Sequence, residues 1–339
     1  MSTVPVVSTY SMWSLFRNCR KAVDWRYEQH LVPLQRDRNL HFGSLIHQCL
    51  ELWHMRRNLS EVLALIDRLC SYRLQDEAQR RDWHLATAMM TAYARRYATD
   101  DLKILELEKN FEGPIVNPAT GAASRSFVLA GKVDGIVRIG DEHFILEHKT
   151  AAQVDGDYLE RLWTDFQITI YAHYIEQTMG ISVTGILYNV LVKAKLQQGK
   201  GETEEEYQER RAELLAKSKT GKTTAKRKLP ESDDEYQQRL AEKYADPAMF
   251  QREMLYLSRD RFDVLRSELW ELTQAYLDAR RRGVFYQNTA FCFNYQRPCP
   301  YFTLCRSNGN PNVIENFYQR VEPNEELRVL PGDAPEPVF

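Results

Sequence analysis

Residues 129–150 read LAGKVDGIVRIGDEHFILEHKT, two β-rich runs that meet at Gly140-Asp141. A glycine at the first central position suits a two-residue type II′ turn, so the stretch predicts a β-hairpin. That turn pairs Ile139 with Glu142, and counting back sets Asp134 directly opposite Glu147. Like charges facing one another on a sheet are destabilising, so the two carboxylates point to a divalent cation between them. Lys149 lies two residues beyond Glu147 and shares its face. Two carboxylates and a lysine around a hard metal suit metal-assisted hydrolysis of a phosphodiester. The plain alternative is a hairpin whose exposed charges form surface ion pairs, and a slip of one residue would turn Asp134 away.

The chain has 339 residues, 43% of them hydrophobic, enough for one large domain or two smaller ones. A net charge of −2 does not mark a nucleic-acid binder, so any basic surface is local. No apolar run approaches the length of about eighteen residues that spans a membrane. The start, MSTVPVVSTYSMW, lacks the basic and apolar regions of a secretory signal. The expectation is a cytoplasmic protein of a bacterium or a phage-infected host cell, without membrane contact. Disulfides are rare there, so the six cysteines must be buried thiols or metal ligands.

Outward from the hairpin, residues 8–33 read as one helix starting near Ser8 or Ser11, with Trp13, Phe16, Val23 and Tyr27 at helical spacing and Pro33 after its end. HFGSLIHQCLELWHMRR predicts a second helix with Leu45, Cys49, Leu52 and Trp53 inward, and residues 60–98 predict two more. LKILELEKNFEGPIV precedes the hairpin as strand, and residues 158–180 follow it as one long helix ending at Gly180. VTGILYNVLVKAK reads as a buried strand. Residues 195–248 are highly charged and poor in large apolar residues, an excursion of two short helices around a flexible basic loop. A strand, a long amphipathic helix, a cysteine-bearing loop and a Pro-rich tail complete the chain. One domain over 1–339 is expected: a helical part at 1–110, a core at 111–194, the charged insertion at 195–248, a helix with the cysteines at 249–310, and a tail at 311–339.

FCFNYQRPCPYFTLC holds Cys292, Cys299 and Cys305 in a setting unlike core. Three thiolates leave one ligand missing for tetrahedral zinc or an iron–sulfur cluster, and Cys19 is the candidate fourth; spacing does not separate zinc from iron. Cys49 and Cys70 occupy apolar helical positions and read as small buried hydrophobes. His47 is a candidate ligand brought to the carboxylates, or a half-buried histidine of an amphipathic helix. Gln167 and Tyr171, four apart, share a helical face near the hairpin, either to orient water and phosphate or as ordinary boundary residues. SKTGKTTAK contains Gly-Lys-Thr but is no phosphate loop, because Ala216 stands where the first glycine belongs and no strand precedes it. Lys217, Lys219, Lys222, Lys226, Arg227 and Lys228 form a basic run, equally a solvated loop or a non-specific phosphate contact.

In chain order these pieces resemble the PD-(D/E)XK nuclease superfamily, and within it the RecB-like, AddB-like exonucleases with an iron–sulfur cluster, which include CRISPR-associated and phage-encoded relatives. The resemblance runs from residue 8 to residue 305: Cys19 in SLFRNC, His47 in GSLIH, Asp134 in GKVDGIV, Glu147 and Lys149 in LEHK, Gln167 and Tyr171 in QITIY, and the cysteine triplet. It implies an α/β restriction-endonuclease-like core, a central mixed sheet flanked by helices, with a helical N-terminal part and a C-terminal iron–sulfur staple. It implies that Asp134, Glu147, His47 and the carbonyl of His148 bind Mg²⁺ or Mn²⁺. Lys149 would position water or stabilise charge on phosphate, and Gln167 and Tyr171 would steady the site. Cys19, Cys292, Cys299 and Cys305 would hold a structural 4Fe-4S cluster. Six residues separate Cys292 from Cys299 where the family often has two, whereas the five between Cys299 and Cys305 and the Pro300-Tyr301 pair fit.

The expected function is metal-dependent exonucleolytic hydrolysis of DNA, on single strands or ends, by one- or two-metal chemistry. No helicase motif is present, so the chain would process DNA without unwinding it, or with a separate motor. A recombinase, a helicase or a CRISPR integrase are the protein partners this suggests, with homo-oligomerisation open. Two alternatives stand beside it: a non-catalytic DNA-binding or assembly protein on the same fold, and a four-cysteine zinc protein.

Overall fold

A computed structural model describes residues 5–35, 38–70, 76–100, 102–294, 297–322, 324 and 327. β1 (Val6–Ser8) leads into α1 (Tyr10–Asn18) and α2 (Arg20–Val23), and a π-helical turn over Asp24–Glu28 precedes β2 (Leu31–Pro33). The single N-terminal helix expected from the sequence is therefore divided. Its cap is Thr9, whose side chain accepts from the Met12 amide, while Ser8 belongs to the strand and donates to the Val128 carbonyl at 2.7 Å. The helix breaks at Cys19, which is extended (φ −158°).

α3 (Arg38–Arg56), α4 (Leu59–Cys70) and α5 (Glu77–Arg96) form the helical part, followed by β3 (Lys103–Val116) and the hairpin of β4 (Ala123–Ile139) and β5 (Glu142–Ala151). Gly140 takes φ +60°, as the turn requires, and Ile139 pairs with Glu142 in the predicted register. α6 (Gly156–Leu162) and α7 (Phe166–Met179) replace the one long helix. Asp165 causes the division: its backbone leaves the helical region and its carboxylate caps the Gln167 amide. α7 ends at Gly180 (φ +66°), the expected stop.

β6 (Val183–Val192), α8 (Glu204–Lys217), α9 (Asp233–Tyr244), β7 (Phe250–Tyr256) and α10 (Asp260–Arg282) follow. α8 buries none of its residues, in keeping with its charge. α8 and α9 are the two short helices expected in this region, and α9 also packs into the core. Tyr236, Leu240 and Tyr244, four apart, are buried and join the core beneath α3, α4 and α5. The C-terminal part carries β8 (Phe293–Asn294), β9 (Arg297–Pro298), α11 (Phe302–Arg306), α12 (Pro311–Phe317) and β10 (Tyr318–Arg320). Residues 311–320, read as tail, thus form a helix and a strand that pairs with β2; the chain beyond residue 327 lies outside the described residues.

The main sheet is mixed, ordered β1-β4-β5-β6-β7 with β3 on the other edge of β4. β1 and β4, and β5 and β6, run parallel; β3/β4, β4/β5 and β6/β7 run antiparallel. Helices flank it on both sides. Trp13, Phe16, Ile170, Ile175, Leu265 and Tyr276 from α1, α7 and α10 fill one core. Phe42, Leu50, Met89 and Tyr93 from α3 and α5 meet Leu191 and Phe250 in the other. This is the expected α/β architecture, consistent with a restriction-endonuclease-like fold. Among the described residues no helix is long and apolar enough to cross a membrane.

Candidate active site and cysteine cluster

One edge of β4 is shared. Residues 127–129 pair with β1, and residues 135–139 pair with β5, the last pair being Gly135 with Leu146. Asp134 falls in the gap between the two partners, one step beyond the hairpin ladder, where Glu147 is its next counterpart. The strands part there, and helices from both layers reach in. His47 comes from α3, with Nδ1 3.2 Å from Asp134 Oδ1. The His148 amide donates to Asp134 Oδ2 at 2.7 Å. Lys149 Nζ lies 2.7 Å from Glu147 Oε1 and 3.2 Å from Gln167 Oε1. Gln167 Nε2 donates to the Tyr171 hydroxyl at 2.6 Å, so the two share the helical face their spacing predicted. The division of α6 from α7 puts Gln167 in the first turn of α7, within reach of Lys149.

The electrostatics separate the two carboxylates. Burial raises the Asp134 carboxyl, but His47 and the His148 amide overcome it and hold the group well below the usual range. Burial pushes the Glu147 carboxyl up to about 7, with Asp134 adding to the rise and Lys149 opposing it. Burial lowers Lys149, and Glu147 more than reverses that, so the ammonium stays charged. His47 shows the same balance, with burial lowering it and Asp134 raising it. His148 is held neutral by burial.

Sequence reasoning missed further groups. Glu51 stands one turn after His47 on α3, and its carboxyl is raised by burial, then by Glu108 and Asp134. The HxxxE spacing was the available signal. Asp165, besides capping α7, accepts from Tyr10 at 3.3 Å and Tyr188 at 3.5 Å.

Among the described residues, no three His, Cys, Asp or Glu side chains converge tightly enough to form a metal site as they stand. The fit therefore rests on donor chemistry. Two carboxylates and an imidazole are oxygen- and nitrogen-rich, and a Glu147 pushed toward neutrality by burial, with Asp134 adding to it, is the state a hard divalent cation would reverse.

Cys19, Cys292, Cys299 and Cys305 line one small cavity of about 10 Å³ between α1 and the C-terminal part. Trp25 Nε1 lies 3.3 Å from Cys305 Sγ, and the Asn288 amide 3.5 Å from Cys19 Sγ. The cysteines are free thiols, and burial raises those of Cys299 and Cys305. Four thiols around one cavity fit a four-thiolate centre in kind, though the cavity as closed holds no more than about one water. Cys49 and Cys70 lie in the helical core, both pushed up to about 12 by burial. The basic run lies at the end of α8 and beyond it. Lys217, Arg227 and Lys228 pair with Glu213, Glu204 and Glu202 of that same region, not with the site; Lys219, Lys222 and Lys226 continue the run along the loop.

The family model of the PD-(D/E)XK nuclease superfamily matches residues 8–306. No curated protein matches the chain. Among solved structures, that of SSO0001 is 12% identical over 70% of this chain and 87% of its own, with a TM-score of 0.21.

Proposed function

The chain belongs to the PD-(D/E)XK nuclease superfamily, and from that premise we propose that it is a metal-dependent DNA exonuclease acting on single strands or ends, with a structural 4Fe-4S cluster. The observation that carries the reading is Lys149 Nζ spanning Glu147 Oε1 at 2.7 Å and Gln167 Oε1 at 3.2 Å, in the gap where Asp134 meets His47. His47, Asp134, Glu147 and the His148 carbonyl would hold Mg²⁺ or Mn²⁺. One or two such ions, when bound, would supply Lewis-acid polarisation of the phosphodiester and neutralisation of its growing charge. Lys149 donates a hydrogen bond to the phosphate oxygen or to the attacking water, held in place by Glu147 and Gln167. Tyr171 fixes the amide of Gln167 and thereby its oxygen. In-line attack by water forms one P–O bond and breaks another, with no electron transfer. Cys19, Cys292, Cys299 and Cys305 would bind the cluster, tying the C-terminal part to α1. Lys219, Lys222 and Lys226 would add non-specific phosphate contact.

A nuclease assay on end-labelled single-stranded and duplex DNA, with Mn²⁺, Mg²⁺ or EDTA, tests this on anaerobically purified wild type and Glu147→Ala. Degradation from one end by wild type alone, lost in EDTA, is expected. DNA binding without cleavage under every metal would replace the enzyme with a binding module. A colourless, zinc-loaded protein would remove the iron–sulfur centre.

A further inference from the structure

Behind the candidate site, three adjacent strands carry one row of polar side chains. His148 on β5 stands opposite Asn189 on β6, and Asn189 stands opposite Arg252 on β7. The row is sunk in the core: Asn189 and the adjoining Tyr93 of α5 are 0% exposed, and His148 is 3%. Its bonds run outward from Arg252, which is itself anchored to Asp100 at 2.7 and 2.9 Å. Arg252 Nε donates to Asn189 Oδ1 at 3.3 Å, and its Nη2 to the Tyr93 hydroxyl at 3.2 Å. With its oxygen so engaged, the Asn189 amide nitrogen donates to Tyr93 and to His148 Nδ1, both at 2.9 Å. The twice-accepting Tyr93 hydroxyl gives its own proton to His54 Nε2 at 3.3 Å. His148 Nδ1 is thus an acceptor, and the ring has one tautomer and one orientation. The His54 ring stacks on it, centroids 5.4 Å apart and 14° from parallel.

A buried row of this kind is costly to form, and here it is not fully satisfied: His148 Nε2 and His54 Nδ1 find no hydrogen-bond partner among the described residues. Apolar side chains would fill the same space without that penalty. What the row does secure is the residue between Glu147 and Lys149, whose amide grips Asp134. We propose that Asn189, Tyr93 and Arg252 are positioning residues for the cation site, clamping the His148 ring from behind so that its peptide group keeps Asp134, Glu147 and Lys149 in register. The inference rests on the cation reading given above.

The test is Mn²⁺ titration of metal-free protein, followed by the electron paramagnetic resonance signal of the free ion, with Tm recorded alongside. Wild type, Glu147→Gln, Asn189→Leu and Tyr93→Phe are compared. Wild type should bind, and Glu147→Gln should lose most of that affinity. Asn189→Leu should bind about 10–100-fold more weakly, the usual effect of removing a group that orients a ligand. Tyr93→Phe keeps the ring packing and decides the matter if Asn189→Leu does not fold; it too should weaken binding about 10-fold. Unchanged affinity in both variants, with Tm lowered, would reduce the row to packing and overturn the inference. If wild type itself binds no Mn²⁺, the cation reading falls and takes the inference with it.

Discussion

The backbone amide of His148 donates to Asp134 Oδ2 across 2.7 Å, joining β5 to β4 one step beyond the end of their ladder. The bond does for this pair what the missing ladder hydrogen bond cannot, and it leaves Oδ1 to His47. Asp134→Asn keeps the shape and removes the charge. Metal-dependent cleavage should fall by more than about 100-fold, since a ligand counts for more than the groups that orient it. The same substitution removes the carboxylate that does most to raise His47 and leaves burial and Lys149 lowering it against Glu147 alone, so the His47 imidazole should titrate at lower pH. A proton NMR titration of metal-free protein reads this directly; an unmoved His47 would mean that the contact is not made in solution.

Lys149 and Glu147 are coupled differently. Burial and Asp134 push the Glu147 carboxyl toward neutrality, and Lys149 is the main group holding it down. Lys149→Met should therefore slow single-turnover cleavage by about 10²–10³-fold, as loss of a charge-stabilising donor does. Mn²⁺ binding should survive at alkaline pH, where Glu147 is ionised even without Lys149 and the ligand atoms remain, and should weaken as the pH falls and the proton competes for Glu147. Equal losses of binding and rate would make Lys149 a structural counter-ion only.

What the sequence disclosed follows from how local each signal is. The hairpin register depends on two turn residues, Gly140 and Asp141, and Ile139 indeed pairs with Glu142. Gln167 and Tyr171 needed only the helical repeat. The break at Asp165 was hidden because the apolar period continues across residues 163–165, and capping by a carboxylate overrode it. The packing of α9 was legible in Tyr236, Leu240 and Tyr244, but the charge around them drew the reading toward a highly charged excursion of two short helices. Asn189, the lone amide in the apolar run VTGILYNVLVKAK, was passed over in reading that run simply as a buried strand. Its partners, however, depend on the register of β5, β6 and β7, which are joined through α6, α7 and the long stretch from Val192 to Phe250, and no local rule sets that alignment.

The six cysteines fall into two populations. Burial pushes Cys49 and Cys70 up to about 12, so at pH 8 almost no thiolate is present and iodoacetamide should leave them unmodified in native protein. Cys292, Cys299 and Cys305 are only half-buried and should react. Anaerobic reconstitution with iron and sulfide should protect these three, with the buried Cys19 as the fourth ligand, and give a brown protein. Cys305→Ser should lose the colour and lower Tm by several degrees, because the cluster would link residues far apart in sequence. Mass spectrometry of the labelled thiols separates the two sets; labelling of Cys49 before Cys305 would contradict the burial of the helical core.

His173 on α7 gives the fold a dependence on acid that can be isolated. Burial lowers its imidazole, Arg266 lowers it further and Glu176 opposes both. The ring packs against Phe262 of α10 at 5.4 Å, with Nε2 2.9 Å from Gln177. The unfolded chain therefore takes up this proton at a higher pH than the folded one. The stability His173 contributes is fully present above the unfolded value, about 6.5, and is lost as pH falls below it. A single such group contributes a slope of at most about 1.4 kcal/mol per pH unit. His173→Phe preserves the apolar contact with Phe262 and cannot take up the proton. Urea unfolding at pH 7.5, 6.5, 5.5 and 5.0, in about half-unit to unit steps through the titration range, should show wild-type stability falling more steeply than that of the variant below about pH 6.5. Parallel curves would mean that His173 is protonated alike in both states, and that the contact between α7 and α10 opens to water.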